Sequence, residues 1–198
     1  MAGRPRQALS GPKRAGHRAA LAALPLSPEV RGRVAAYLDI VERWNPRINL
    51  TGARTATDRV ALLVAPVVAA EAALCGEHLI DVGSGNGSPG VVLGLLRPGT
   101  KLTLLEPRAR RWAFLKEVSR ELGLGARVLR QRHDEYSGPP GDTVSVRALR
   151  LPAEQLRPLI APGGRLLLFR SPEVLPPGFV RLQAPCAGVS VLSPERST

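Results

Sequence analysis

The spacing of apolar residues divides the chain into two parts. Over residues 30–41, apolar residues recur at every third or fourth position, which is the spacing of one helix face. Ser27 and Pro28 stand just before this stretch and are typical of a helix cap and of the first helical position. A helix is therefore predicted to begin at Pro28. It is expected to end near residues 44–46, because a residue that precedes proline avoids the helical region.

From residue 77 onward, short apolar runs alternate with helical stretches. A helical stretch over residues 58–74, bent near Pro66, comes before this part. Five strands are then predicted, over residues 78–82, 101–105, 126–130, 143–146 and 166–169. Residues 180–182 and 188–192 are expected to add a closing pair. The alternation predicts an α/β fold with a doubly wound, mostly parallel sheet, whose ligands bind beyond the carboxyl ends of the strands.

The chain has room for one such domain with an N-terminal extension. We predict a basic tail over residues 1–26, a helical cap over residues 27–76 and the α/β core over residues 77–198. The tail contains no acidic residue and resembles a transit peptide in composition. Because Pro5, Pro12 and Gly16 interrupt any sustained amphipathic helix, we expect a disordered tail instead.

The formal net charge of +12, from 28 basic and 16 acidic residues, favours a polyanionic partner. A simpler explanation is codon bias in a GC-rich genome, since nearly all the basic residues are arginine. Such bias explains why arginine replaces lysine, but it does not explain the excess of basic over acidic residues. The charge therefore favours a nucleic-acid partner.

Cysteines and hydropathy restrict the cellular setting. Cys75 and Cys186 lie far apart in the chain and have no Cys or His at metal-ligand spacing. We therefore expect neither a disulfide framework nor a zinc site. We expect a reducing, cytoplasmic location. The longest apolar run, residues 60–74, is too short to cross a bilayer and contains Pro66 and Glu71. We predict a monomer with no membrane attachment.

A glycine-rich turn follows the first predicted strand. Gly83, Gly85 and Gly87 would let the backbone bend sharply and approach a ligand where a Cβ would clash. A dinucleotide fingerprint has glycine at the sixth position of the turn, whereas this chain has Ser88. The turn with Asp81 before it instead resembles the first motif of Rossmann-like methyltransferases, which bind S-adenosylmethionine.

Acidic residues also follow the second and third strands. Glu106, at the end of the second strand, is positioned to accept hydrogen bonds from both hydroxyls of an adenosine ribose, although a solvated acid at a strand end is the simpler alternative. His133 and Asp134 follow the third strand, where a carboxylate or backbone group can bind the exocyclic amine of adenine. For this pair, an exposed loop is an equal alternative.

Three segments together resemble one protein family. They are WNPRINLT at residues 44–51, DVGSGNGSPG at residues 81–90 and LLEPRARRWAFL at residues 104–115. In this order and spacing they resemble the bacterial 16S ribosomal RNA guanine-N7 methyltransferases of the glucose-inhibited division protein B family. The similarity runs from about residue 27 to residue 169. It implies S-adenosylmethionine as cofactor, and 16S ribosomal RNA or a small-subunit precursor as partner.

The resemblance also implies roles for individual residues. It assigns Gly83, Ser88, His133 and Asp134 to the lining of the cofactor, with Glu106 at its ribose.

Three arginines match family positions near the RNA. Arg147 matches an arginine near both cofactor and target, Arg132 a second arginine of the RNA site, and Arg170 a position that is usually lysine. The family's reaction requires no catalytic acid or base, because nitrogen 7 of guanine carries no proton. Arg147 and Arg132 would then act by positioning the RNA.

Besides Arg170, the sequence departs from the family in a shortened C-terminal strand and at two places near the predicted site. It reads LLVAPVV over residues 62–68, where the family commonly has a His-Ile-Leu-Asp-Ser run, and Ser88 replaces a large apolar residue. These departures leave open a degenerate relative that binds RNA or cofactor without turnover. A methyltransferase for a small molecule is a further alternative, which the charge and the motifs disfavour.

Overall fold

The computed structural model describes residues 12–169 and 174–195. In this part the helices are α1 (Pro12–Ala20), α2 (Pro28–Ile48), α3 (Ala56–Leu63), α4 (Ala65–Ala70), α5 (Gly90–Leu96) and α6 (Ala109–Leu122). The strands are β1 (His78–Val82), β2 (Lys101–Leu105), β3 (Arg127–Leu129), β4 (Gly141–Val146), β5 (Ile160–Leu168), β6 (Phe179–Leu182) and β7 (Ser190–Pro194). Short 3-10 turns occupy Glu71–Ala73, His133–Glu135 and Ala153–Leu159.

The strands form a single seven-stranded sheet in the order β3-β2-β1-β4-β5-β7-β6. The first five are parallel to their neighbours, and β7 and β6 are antiparallel. The predicted doubly wound, mostly parallel sheet with a closing pair is confirmed. Because β1 lies between β2 and β4, the loops that follow these three strands meet at one edge of the sheet.

Alternation within the strands assigns their side chains to two cores. Leu79 of β1 and Leu104 of β2 are buried in a cluster with residues of the N-terminal helices. Ile80 and Leu105, one residue further along each strand, are buried in a second cluster on the opposite face. Burial on both faces explains why the strands read as nearly continuous apolar runs.

The predicted start of α2 is confirmed, but its predicted end is wrong. Ser27 Oγ accepts a hydrogen bond from the Val30 backbone N–H at 3.2 Å and caps the helix. The helix then continues past Pro46 and ends at Asn49, whose φ is 48°. A proline in the last turn removes a single backbone hydrogen bond, and side-chain bonds from Asn45, described below, favour the longer helix.

The helical stretch predicted over residues 58–74 consists of two helices and a short turn. Thr55 caps α3 in a reciprocal arrangement with Asp58. α3 is capped at Val64, and Pro66 lies in the first turn of α4. The helix is therefore interrupted two residues before Pro66, the position near which a bend was predicted.

The expectation of a disordered tail is wrong for residues 12–26, while residues 1–11 lie outside the described part. α1 packs on α2 and α3, and Leu21 is buried. His17 is buried too, with Nδ1 2.7 Å from Asp39 Oδ1 and Nε2 3.3 Å from Arg59 Nη1. Arg59 also lies 3.2 Å from a carboxylate oxygen of Glu42. This polar network fixes α1 through contacts with residues far along the chain, which a local composition does not reveal.

Candidate active site

The glycine turn after β1 is held against the end of β2. The backbone N–H groups of Gly83 and Ser84 both donate to the Leu105 carbonyl, at 2.8 and 3.1 Å. Gly83, Gly85 and Gly87 have φ values of 69°, 51° and 93°, which favour glycine. At Gly83 a Cβ would also overlap the Leu149 side chain. The turn therefore requires glycine both for its conformation and for close approach.

Glu106 joins the glycine turn to the end of β2. Its carboxylate Oε2 accepts the Gly85 N–H at 2.9 Å, and Oε1 accepts the Arg108 N–H at 2.8 Å. The side chain is buried. An ionised carboxylate has about four acceptor positions, so two backbone bonds leave it able to accept the hydroxyls of a ribose.

Asp81 lies beneath the turn rather than on the cavity surface. It is fully buried, and its Oδ1 accepts a hydrogen bond from Ser145 Oγ at 2.7 Å. Within the described residues its Oδ2 accepts no hydrogen bond. Burial raises the pKa of Asp81 to about 6, although the hydrogen bond from Ser145 acts in the opposite direction. Its predicted part in cofactor binding would be exerted through the turn above it.

Ser88 and Arg147 connect the glycine turn to α3. Ser88 Oγ donates to the Leu63 carbonyl at 2.7 Å and accepts from Arg147 Nη1 at 2.8 Å. Arg147 Nη2 donates to the Leu62 carbonyl, and the guanidinium carbon lies 5.8 Å from the centre of the Phe169 ring. Burial lowers the pKa of Arg147. Arg147 therefore links the turn, α3 and the segment after β5.

The loop after α2 forms the opposite wall of the site. Asn45 Oδ1 accepts from the N–H groups of Leu50 and Thr51, at 2.7 and 2.9 Å, and Asn45 Nδ2 donates to the Thr51 carbonyl at 2.9 Å. Asn86 of the glycine turn donates to the Leu50 carbonyl at 3.2 Å. Buried Tyr37 donates to the Asn86 carbonyl at 2.8 Å. The Trp-Asn and Asn-Leu-Thr signature thus builds a wall of the site.

These walls enclose a cavity of about 280 Å³. Its lining comprises Leu50, Thr51, Gly52, Leu62, Leu63, Gly83, Ser84, Gly85, Asn86, Ser88, Arg111, Arg147, Ala148 and Leu149. Of the predicted site residues, four line it: Gly83, Gly85, Ser88 and Arg147. Sequence reasoning missed the others. The three motifs contain Thr51, Asn86 and Arg111, and Leu62 begins the segment over residues 62–68 that departs from the family. No sequence signal gave Leu149 a role.

The residues after β3 border a different cavity. Arg132, His133 and Asp134 line a space of about 420 Å³ together with Tyr136 and Gln155. The Arg132 guanidinium holds both carboxylate oxygens of Asp134, at 3.0 and 3.2 Å, and it lowers the pKa of Asp134. His133 is buried. β3 lies two strands from β1 in the sheet, so this loop starts away from the glycine turn.

The predicted roles of Arg132, His133 and Asp134 stay predictions, and Arg170 lies outside the described residues. No helix within residues 12–169 and 174–195 is long and apolar enough to cross a membrane. The same residues contain no group of three His, Cys, Asp or Glu side chains suited to a metal ion. Cys75 and Cys186 are both free thiols.

The residues at the glycine turn fit S-adenosylmethionine. Gly83 and Gly85 present bare backbone to the cavity. Glu106, beside them, keeps acceptor positions that suit the ribose hydroxyls. The separate cavity bordered by His133 and Asp134 also lies at the carboxyl edge of the sheet, where ligands of this fold bind.

Comparisons with known proteins agree with these features. The GidB family model, described as rRNA small subunit methyltransferase G, matches residues 32–175. The ribosomal RNA small subunit methyltransferase G of Symbiobacterium thermophilum is 38% identical over 173 residues, covering 78% of this chain and 70% of that protein. The Nitrosococcus oceani protein of the same name is 32% identical over 174 residues, covering 81% and 80%.

Among solved structures, mitomycin 7-O-methyltransferase MmcR is similar in fold. It has a TM-score of 0.52 and 17% identity, and the match covers 85% of this chain and 64% of that one. The family match extends over more than half of the chain and includes all three motifs. It leaves out residues 1–31 and 176–198. The chain therefore belongs to the rRNA small subunit methyltransferase G family.

Proposed function

We propose that this chain transfers a methyl group from S-adenosylmethionine to nitrogen 7 of a guanine in small-subunit (16S) ribosomal RNA. It would act in the cytoplasm as a monomer, on the RNA or on a small-subunit precursor. The observation that carries the proposal is that the glycine turn and two arginines line the same cavity. Gly83 and Gly85 line it together with Arg111 and Arg147. A cofactor turn and cationic side chains on one surface suit a polyanionic substrate.

When bound, S-adenosylmethionine supplies a methyl group that is activated by its positive sulfonium. The glycine turn would receive this cofactor through its backbone, and Glu106 would accept the ribose hydroxyls. Leu62, Leu63 and Leu149 line the same cavity and would exclude water from the reacting atoms.

Nitrogen 7 of guanine has a free lone pair and no proton, so the chain needs no general base. Its contribution is alignment, and proximity and orientation contribute about 7 to 11 kcal/mol in well-aligned reactions. Arg147 would hold a phosphate or a guanine edge, because its planar guanidinium forms paired hydrogen bonds with either. Arg132, which borders the separate cavity, would contact the RNA further from the reacting base. Arg170 would be a further RNA contact on the family resemblance alone.

The substrate guanine must be unpaired or turned out of its helix. In an RNA duplex nitrogen 7 faces a deep and narrow groove that side chains do not enter. The cavity lies between the helical cap and the sheet, and an extruded base would have to enter it.

The test is transfer of tritiated methyl groups to small ribosomal subunits from bacteria that lack this methylation. The RNA is then digested, and the labelled base is identified. We expect label in 7-methylguanine. Arg147→Ala should lower the rate of incorporation by ~10-fold or more. Lys116→Ala is the matched control, because Lys116 is exposed on α6 and does not line the cavity.

Two results would overturn the proposal. If the wild-type chain binds S-adenosylmethionine but incorporates no label, it is a binding protein without turnover. If the label is found in a different base or at a different atom, methyl transfer stands but its assignment to nitrogen 7 of guanine does not.

A further inference from the structure

Arg111 is a cavity residue to which the family resemblance gave no role. It is the third residue of α6 and lines the same cavity as the glycine turn and Arg147. Its Nη1 lies 3.7 Å from the position that a Cβ on Gly85 would occupy, and Glu106 Oε2 lies 4.0 Å from that position. Arg111 is therefore at the end of the cavity where Glu106 would hold the ribose.

The guanidinium of Arg111 has no partner among the described residues. It is half-buried, and no hydrogen bond or ion pair within residues 12–169 and 174–195 involves it. The other half-buried arginines of the described part each donate to a backbone carbonyl. They are Arg31, Arg33, Arg97, Arg147, Arg157 and Arg165. Arg111 alone of this group keeps all its donors unused while part of its surface is removed from water.

The neighbouring charges do not neutralise Arg111. The first turn of α6 contains no acidic residue, and Arg108 and Arg110 beside it are exposed cations. Among the described residues Glu106 forms no ion pair with Arg111, and the acceptor positions that its two backbone hydrogen bonds leave open are those proposed for the ribose. Cations in the first turn of a helix are also unfavourable, because that end carries partial positive charge. Among the described residues, the Arg111 guanidinium therefore lacks an anionic partner.

We propose that Arg111 binds a phosphate of the RNA substrate at the mouth of the cofactor cavity. This inference rests on the proposed function, in which RNA is the substrate. S-adenosylmethionine carries a single anionic group, the carboxylate of its methionine part, and its ribose, at the Glu106 end, is uncharged. A phosphate fits the planar fork of arginine with two parallel hydrogen bonds. A phosphate next to the extruded guanine would lie at this mouth.

The experiment compares Arg111→Ala and Arg111→Lys with Lys116→Ala, which removes one exposed positive charge from the same helix. For each protein, KM for small ribosomal subunits is measured at several salt concentrations, and Kd for S-adenosylmethionine is measured by calorimetry. Arg111→Ala should raise KM by ~10-fold at low salt and reduce the slope of log KM against log salt concentration by about 0.7 to 0.9.

The other measurements identify the ligand. Arg111→Ala should leave Kd for the cofactor within about twofold of wild type, and Arg111→Lys should recover part of the loss, because lysine keeps the charge without the fork. Lys116→Ala should match wild type in every measurement. An unchanged KM in Arg111→Ala overturns the inference. A weakened cofactor Kd also overturns it and assigns Arg111 to cofactor binding instead.

Failure of the proposed function would look different. In that case the wild-type chain itself transfers no methyl group to the subunits, before any variant is compared. If the wild type is active and Arg111→Ala behaves like Lys116→Ala, the proposed function stands and the phosphate contact alone is wrong.

Discussion

At the scale of single residues, the site is organised by side chains that bind protein groups rather than face open solvent. Glu106, Ser88 and Arg147 each hydrogen-bond another segment of the chain. The family resemblance assigns these positions to the cofactor or its target. In the structure they also connect the glycine turn to α3 and β2, so their substitution affects both stability and binding.

Ser88 and Arg147 provide the clearest test of these contacts between segments, because one hydrogen bond joins the two side chains directly. Ser88→Ala, Arg147→Met and the double variant should give a coupling energy of about 1 kcal/mol or more in the free energy of unfolding, because each variant removes the same hydrogen bond. Urea unfolding of the four proteins measures this energy. The control pair, Ser88 and Lys116, should be additive within about 0.5 kcal/mol. Additivity of the Ser88 and Arg147 variants would contradict the hydrogen bond.

Asp81 should make the stability depend on pH. Burial raises its pKa to about 6 in the folded chain, above its ordinary value of 3.8. The folded state therefore holds a proton that the unfolded state has released, and this part of the stability, present below pH 4, is lost as the pH rises through 6. As the pH rises from 4 to 8, the free energy of unfolding of Asp81→Asn should increase relative to that of wild type, by roughly 3 kcal/mol at most.

The measurement is chemical unfolding of both proteins at several pH values. Asp58→Asn serves as the control, because hydrogen bonds from Thr55 lower the pKa of Asp58 and its contribution is lost at low pH instead. A stability difference between Asp81→Asn and wild type that does not change with pH would show that Asp81 is ionised in the folded chain without penalty.

At the scale of elements, the cap and the core meet at the site. The loop after α2 is positioned by Asn45, α3 by its bonds to Ser88 and Arg147, and α1 by the buried His17. None of these helices belongs to the sheet, yet residues from the first two regions line the cavity. The cap is therefore part of the cavity wall.

Asn45→Ala tests how the cap contributes. It removes three hydrogen bonds to the backbone of Leu50 and Thr51, so we expect a loss of about 2 kcal/mol in the free energy of unfolding. Cofactor affinity should also fall, because both loop residues line the cavity. Unfolding curves and calorimetry measure these effects. Asn49→Gly is the matched control, because glycine adopts the φ of 48° freely. Equal effects from both variants would contradict the role of Asn45.

At the scale of the whole molecule, cap and core are not separated by a boundary. One hydrophobic cluster includes Val34 and Leu38 of α2 together with Leu93 of α5 and Phe114 of α6. Trp44 also packs edge-on against Phe114, with ring centres 5.9 Å apart. The net charge of +12 is likewise a property of the whole chain, because it is the sum over all 28 basic and 16 acidic residues.

The net charge should govern RNA binding. A protein that contacts several phosphates releases counterions, so affinity falls with added salt, by about 0.7 in the log–log slope for each contact with single-stranded RNA. With about three to six contacts, the slope should lie between roughly −2 and −4. Filter binding of small-subunit RNA from 50 to 300 mM salt measures it. A slope near zero would contradict an electrostatic interface.

Much of the fold was predictable because it depends on local pattern. β1 and β2 were predicted with the bounds that the structure has, since apolar runs between turn residues mark a buried strand. The end of α2 and the order of residues 12–26 were predicted wrongly. The end of α2 depends on the Asn45 side chain, which accepts a hydrogen bond from the backbone of Leu50 beyond the helix, and the order of α1 depends on the contact of His17 with Asp39, 22 residues along the chain.

By itself the sequence determined the sheet and the glycine turn, because hydrophobic spacing and glycine placement act over a few residues. The class of cofactor followed from the resemblance of that turn and the other motifs to a known family. Only the tertiary structure decided which side chains share the cavity. It brought Arg111 and Leu149 to the glycine turn, committed Arg147 to Ser88, and left His133 by a separate cavity. These contacts join segments tens of residues apart, and their geometry is set by the packing of the cap on the sheet.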